Sequence, residues 1–295
     1  MVGRHGERYP TASKAKSIMA TWYKLGNYTG QFNGSLSFLN DDYEFFIRDT
    51  NNLEMETTLA NSVDFLLFFT SSSQRCHDTA QFFIDGLGDQ FNISLQTISE
   101  AESAGANTLS AHHSCAAWDD DVNDDILKKY DTKYLSGIAK RLNKENKGLN
   151  LTSSDATKLL RVRFSYSQDL ETYYQTGPGY DVVRSVGANL FNASVKLLKE
   201  SEVQDQKVWL SFTHDTDILN YLTTIGIIDD KNNLTAEYVP FMGNTFHRSW
   251  YVPQGARVYT EKFQCSNDTY VRYGHQRCCR SNWKPAPLVQ GSPVK

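Results

Sequence analysis

Two short histidine motifs, far apart in the chain, constrain the fold more than any other feature. Arg4-His5-Gly6-Glu7-Arg8-Tyr9-Pro10 comes first, and Thr213-His214-Asp215-Thr216-Asp217 follows the apolar run Val208 to Phe212. The second motif reads as strand, polar turn, helix, because Thr216 to Thr224 has helical spacing and Gly226 stops it. That order belongs at the carboxyl end of a sheet strand in an α/β protein. The first motif also precedes a helix. Thr11 is a cap candidate, and Ala15, Ile18, Met19, Trp22 and Leu25 recur at three-to-four spacing up to Gly26. Free backbone N–H groups and the positive helix end favour an anion near Arg4 to Arg8.

The side chains suit the same ligand. Two guanidinium forks match a phosphate dianion, and an imidazole nitrogen can attack phosphorus, so Arg4, His5 and Arg8 form one candidate cluster. On spacing alone they are equally ordinary exposed residues. His214 bonded to a backbone group, with Asp215 capping a helix that starts at Thr216, would likewise explain the second motif without catalysis. Arg75 by itself reads as a surface arginine.

Between the motifs, Phe65 to Thr70 is a strand candidate leading to Arg75. Asp78 to Leu87 reads as a helix with Ala80, Phe83, Ile84 and Leu87 inward. Asp124 to Asn143 is a second amphipathic helix, weakened at Gly137, and Tyr180 to Lys199 is the longest. Arg257 to Phe263 and Tyr270 to Tyr273 favour strands. Little in 89–155 reads as strand. The expected division is an α/β domain over 1–88 and 156–273, a helical subdomain over 89–155, and an irregular tail over 274–295.

Composition removes several classes. A chain of 295 residues can bury one large core or a main domain with an insert. A net charge of -4 and no lysine-rich run argue against nucleic acid. No apolar run is long enough for a membrane helix, so no membrane insertion is expected. Asn27, Asn33, Asn92, Asn150, Asn192, Asn233 and Asn267 each begin a glycosylation sequon, which suggests an exported surface. The cysteines are Cys76, Cys115, Cys265, Cys278 and Cys279. Their odd number leaves at least one unpaired in a monomer, and adjacent Cys278 and Cys279 read as thiols, not metal ligands.

The motif at 4–10, the His214-Asp215 pair and the stretches Phe32 to Thr57, Asp78 to Ser110 and Val208 to Gln264 closely resemble the histidine acid phosphatases. The likeness is greatest to the secreted repressible acid phosphatases of budding yeasts, relatives of fungal phytases. The resemblance implies a phosphoglycerate-mutase-like α/β fold, with helices on both faces of a central sheet and an inserted helical subdomain. It also implies hydrolysis of phosphate monoesters through a phosphohistidine. His5 would be the nucleophile and Asp215 the proton donor. Arg4, Arg8, Arg75 and His214 would hold the phosphate. The partners it implies are small phosphomonoesters and inorganic phosphate, with no cofactor and no metal, since arginines take the electrostatic role. A mutase of the same broad superfamily is the lesser alternative. A protonated aspartic acid, with its reference pKa near 3.9, would suit acid conditions.

The chain also departs from the family, and its fold is expected to be incomplete. The family carries a signal peptide and a sheet strand ahead of the first motif, whereas here only Met1, Val2 and Gly3 precede Arg4. A nucleophile without that strand would be displaced, and about 1 Å of displacement can lower rate about 100-fold. Shortened segments are expected between Met55 and Ser71 and near Lys158 to Phe164. No likeness is apparent after Tyr273. By resemblance, Cys265 should bridge to a cysteine ahead of the motif and Cys115 to one in the usual C-terminal region, and neither partner is in place. The alternative is therefore an impaired or inactive relic that still binds phosphate. The family is exported, while the chain as written lacks an entry signal and would stay intracellular without N-glycans.

Overall fold

A computed structural model describes residues 1–8, 12–41, 56–57, 67–88, 92–105, 107–159, 161–201, 207–229, 233–237, 246–266 and 268–276. The strands are β1 (Val2–Arg4), β2 (Glu7–Arg8), β3 (Glu56–Thr57), β4 (Leu67–Ser71), β5 (Ser94–Ile98), β6 (Trp209–Thr213), β7 (Arg257–Cys265) and β8 (Asp268–Gln276). The helices are α1 (Ala12–Gly26), α2 (Gln74–Leu87), α3 (Asp124–Tyr130), α4 (Ser136–Glu145), α5 (Ser153–Leu159), α6 (Arg161–Gln175), α7 (Val182–Glu200), α8 (Asp215–Thr224) and the short α9 (Arg248–Tyr251).

One sheet has the order β5-β4-β6-β1-β7-β8, and β2 with β3 forms a separate ribbon. The first four strands of that order run parallel, while β7 and β8 add an antiparallel hairpin. Every residue of β6 is buried, as a parallel strand covered on both faces requires. The strand side chains alternate between two cores. Phe68, Leu210 and Phe212 pack with Ala80, Phe83 and Leu87 of α2 on one face. Val2, Val258 and partly buried Phe69 pack on the other with Leu190, Ile218 and Leu222 from α7 and α8. The expected α/β sheet with helices on both faces is therefore present. A third core gathers Leu25, Leu36, Leu135, Leu142, Leu149 and Ala156. Buried Asp155 ties it to α1, accepting from Thr21 Oγ1 at 2.7 Å and Lys24 Nζ at 2.6 Å.

The missing central strand is a correction. Val2–Arg4 itself lies between β6 and β7, with Val2 opposite Ser211 and Val258. Ladder partners on both sides fix it despite its three residues. A second correction concerns 89–155, where Ser94–Ile98 pairs residue for residue with Leu67–Ser71. Its single sheet neighbour leaves it half exposed, so it carries no apolar run. The expected helix over Asp124 to Asn143 runs further, to Glu145, and contains a π turn over Asp131–Leu135. The inserted residue lets Tyr130 and Leu135, five apart, both be buried. The last strand continues through Gly274, His275 and Gln276, past the expected end of the ordered pattern; residues 277–295, with Cys278 and Cys279, lie outside the described residues.

One helix contact sets where α8, and hence Asp215, can sit. A Cβ at Gly187 of α7 would collide with the Asn220 carbonyl and Thr224 Oγ1 of α8. Gly187→Ala should therefore lower unfolding stability by about 1–3 kcal/mol. The measurement is a denaturant midpoint that falls at constant slope; an unchanged midpoint would show that the helices separate freely.

Candidate active site

The parallel strands end side by side, and each releases a polar turn at its carboxyl end. Arg4 ends β1 and His5 follows it, and His214 and Asp215 follow β6. Ser71 ends β4, with Ser73 and Arg75 after it, while Glu100 follows β5. The crevice outside the carboxyl ends of such strands is where an open α/β sheet binds ligands. Residues remote in sequence meet because register aligns the strand ends, Arg4 with Thr213 and Ser71 with Ile98.

His5 is fixed, contrary to the displaced nucleophile expected above. Its amide donates to Thr213 O at 3.1 Å, and its carbonyl accepts from Gly255 N at 3.2 Å. The next amide, Gly6 N, donates to Thr79 Oγ1 at 3.1 Å. The ring is 1% exposed. His5 Nδ1 lies 2.9 Å from Gly6 O, so the proton sits on Nδ1 and the lone pair on Nε2. Burial is the main cause that lowers its pKa to about 3, with Arg4 and Arg75 adding to it against the Gly6 carbonyl and Asp215. The imidazole is therefore neutral and nucleophilic in mild acid.

His214 is built for the opposite charge state. Nε2 is 2.7 Å from Glu100 Oε1 and 3.4 Å from the Ser71 and Ser73 hydroxyls. Burial works against charge, but the Cys76 sulfur and Glu100 raise its pKa to about 10. Of the two, Glu100 is the carboxylate. Arg75 Nη2 lies 3.0 Å from Nδ1, a hydrogen bond only while the ring is neutral. Once the ring is charged, Nδ1–H and the guanidinium become a donor pair that calls for an anion between them. Arg75 Nε is also buried with no hydrogen-bond partner among the described residues. The His5 and His214 rings stand edge to face, with centroids 5.9 Å apart.

Asp215 does not cap α8. The helix begins at Asp215 itself, and His214 stands at the cap position without a side-chain cap bond. The carboxylate instead meets Arg4 Nη2 at 3.3 Å and Arg248 Nη2. Burial would raise its pKa, but Arg4 and Arg248 overcome burial and hold it well below the usual carboxylate range. Between these two arginines Asp215 is ionised, so its reference pKa does not explain a preference for acid. Arg248 is itself held, since Nη1 donates to Gln168 Oε1 at 3.0 Å and its amide to Asp169 Oδ1 at 2.8 Å. Arg8 lies on β2, three residues after His5, and its side chain is outside the described residues.

Glu100 and Arg248 stand outside both motifs. Glu100 reaches the site only because β5 pairs beside β4, and Arg248 only because Asp169 anchors the start of α9. Neither has a local sequence signal beyond a lone charge. Among the described residues no group of three His, Cys, Asp or Glu side chains forms a metal-binding cluster, and no helix is long and apolar enough to cross a membrane. Cys76, Cys115 and Cys265 are free thiols. Asn27, Asn33, Asn92, Asn150, Asn192 and Asn233 are exposed, and Asn267 lies outside the described residues.

The sequence model of the Histidine phosphatase superfamily (branch 2) matches residues 1–63, 58–162 and 161–276. The chain belongs to this superfamily. Its match falls into runs that meet at 58–63 and 161–162, where shortened segments were expected. It ends with β8 at 276, three residues beyond the expected limit of likeness. The chain is 78% identical to acid phosphatase PHO11 of Saccharomyces cerevisiae, over 92% of this chain and 70% of that protein. It is 68% identical to a repressible acid phosphatase of the same yeast over the same shares. Among solved structures, the phytase from D. castellii superposes with a TM-score of 0.81 at 35% identity, covering 93% of this chain and 71% of that one. As a histidine phosphatase, the chain presents Arg4, His5, Arg75, His214 and Asp215 in one crevice. The displaced-nucleophile argument for an inactive relic falls with the presence of β1.

Proposed function

We propose that this histidine phosphatase is an acid phosphatase that hydrolyses small phosphate monoesters through a phosphohistidine at His5. The observation that carries this reading is the meeting of two buried imidazoles, His5 with Nδ1 against the Gly6 carbonyl and His214 held between Glu100 and Arg75, with ring centroids 5.9 Å apart. Burial favours neutral His5, and Cys76 and Glu100 favour cationic His214. A neutral nucleophile beside a cationic anion clamp is what attack on a phosphate ester requires.

The substrate phosphate takes the position faced by Arg75 and His214 and draws Arg4 from Asp215. Arg8 is proposed to join the clamp. His5 Nε2 forms the N–P bond as the ester P–O bond breaks, and the alcohol oxygen leaves with a proton from Asp215. Asp215, now ionised, takes a proton from water as the water oxygen attacks phosphorus. The N–P bond breaks, and inorganic phosphate and the neutral His5 are regenerated. Asp215 begins ionised beside Arg4 and Arg248, so its proton enters with the ester monoanion, which ties turnover to acid. This reading calls on no cofactor or metal. The exposed sequons fit export with N-glycans, and the helices around the third core are proposed as the inserted subdomain.

The test is p-nitrophenyl phosphate hydrolysis from pH 3 to 8 by folded, purified protein, with competing inorganic phosphate. Turnover that rises toward acid and is competitively inhibited by phosphate is expected. Folded protein that releases no nitrophenol anywhere in that range would overturn the proposal.

A further inference from the structure

The Glu100 carboxylate is anchored before any ligand arrives. Ser71 Oγ donates to Glu100 Oε1, and the Glu100 amide donates to Ser72 Oγ at 3.0 Å. The same Oε1 faces His214 Nε2 at 2.7 Å. A carboxylate on one ring nitrogen decides which nitrogen is left for the ligand and stabilises the charged ring.

We propose that Glu100 is a positioning residue that keeps His214 protonated and turns its Nδ1–H toward the phosphate held by Arg75. This rests on the phosphatase reading of the site and adds a residue that lies outside its motifs. Other groups face the same ring. Arg75 and Cys76 approach Nδ1 from α2, at 3.0 and 3.8 Å. Ser71 approaches Nε2 from the end of β4 and Ser73 from the turn after it. His5 stands across the crevice, and Asp217 raises the ring's pKa from α8. Burial opposes protonation, Cys76, Glu100 and Asp217 favour it, and Glu100 is the carboxylate in direct contact with the ring. Glu100 is itself ionised: burial would raise its pKa, and His214 overcomes this and lowers it to about 2. Its charge therefore persists through the acid range in which the site would work.

The test is a comparison of the full chain with Glu100→Gln and Glu100→Asp, each verified folded by circular dichroism. His214 is titrated by NMR on histidine-labelled protein, assigned through His214→Asn, and inorganic phosphate binding is measured at pH 4 and 7. In Glu100→Gln, the His214 titration should move acidward to about 6, near the ordinary imidazole range, so that the ring is mostly neutral at pH 7 and still charged at pH 4. Phosphate binding should weaken about tenfold at pH 7 and much less at pH 4. Glu100→Asp should recover part of both. An unmoved His214 titration, or equal weakening at both pH values, would overturn the proposal. Because neither readout needs turnover, a chain that hydrolyses nothing would sink the phosphatase reading and leave this test intact.

Discussion

Replacing His5 with alanine should reduce p-nitrophenyl phosphate turnover by on the order of 10^5-fold, the scale of deleting a nucleophile that acts with its partners as a unit. The alanine variant keeps the backbone contacts that pin the motif, from Thr213 O, Thr79 Oγ1 and Gly255 N. Its fold should therefore survive, and the near-ultraviolet signal should match that of the parent. Brief incubation with substrate and an alkaline quench should leave phosphate on His5 in the parent and none in the variant. A folded His5→Ala protein that retains even a tenth of the parent rate would show that phosphorus is attacked by another group.

Much of this site could be read from the chain because its chemistry sits in two contiguous motifs. Arg4 with His5, and His214 with Asp215, each leave a strand end together, so local order places them. Arg75 was legible as the residue beyond a strand, although α2 starts at Gln74, earlier than the spacing from Asp78 suggested. Glu100 was not legible. Its place depends on β5, whose residues Ser94–Ile98 are mostly exposed on an edge and look neither like a buried run nor like a helix. Arg248 depends on contacts with Gln168 and Asp169 in α6, eighty positions away, which no local pattern encodes.

The misreading of β1 has a physical cause as well. A strand of three residues carries almost no periodic signal. Its stability comes from partners on both sides, β6 and β7, which local spacing cannot reveal. The acid argument failed for a related reason. A reference carboxylic acid is a fair guide only when nothing charged touches it, and Asp215 touches Arg4 and Arg248.

That last contact leads to the second large effect. Asp215→Asn removes the proposed proton donor and also the charge that contacts Arg4 and Arg248. The two consequences have opposite signs. Without the donor, an alkyl phosphate must expel a strongly basic alkoxide, and its kcat should fall by about 10^2–10^4-fold. Nitrophenolate leaves without a full proton, so p-nitrophenyl phosphate should lose much less. Meanwhile Arg4 no longer needs to be drawn from a carboxylate, and inorganic phosphate should bind more tightly than to the parent. A lower kcat with a lower KM is the signature of a group that helps the transition state while opposing ground-state binding. Steady-state kinetics on the two esters, with phosphate as inhibitor, separate these effects. Equal losses for both leaving groups would remove Asp215 from the donor role. Unchanged phosphate affinity would show instead that its contacts with the two arginines do not compete with the ligand.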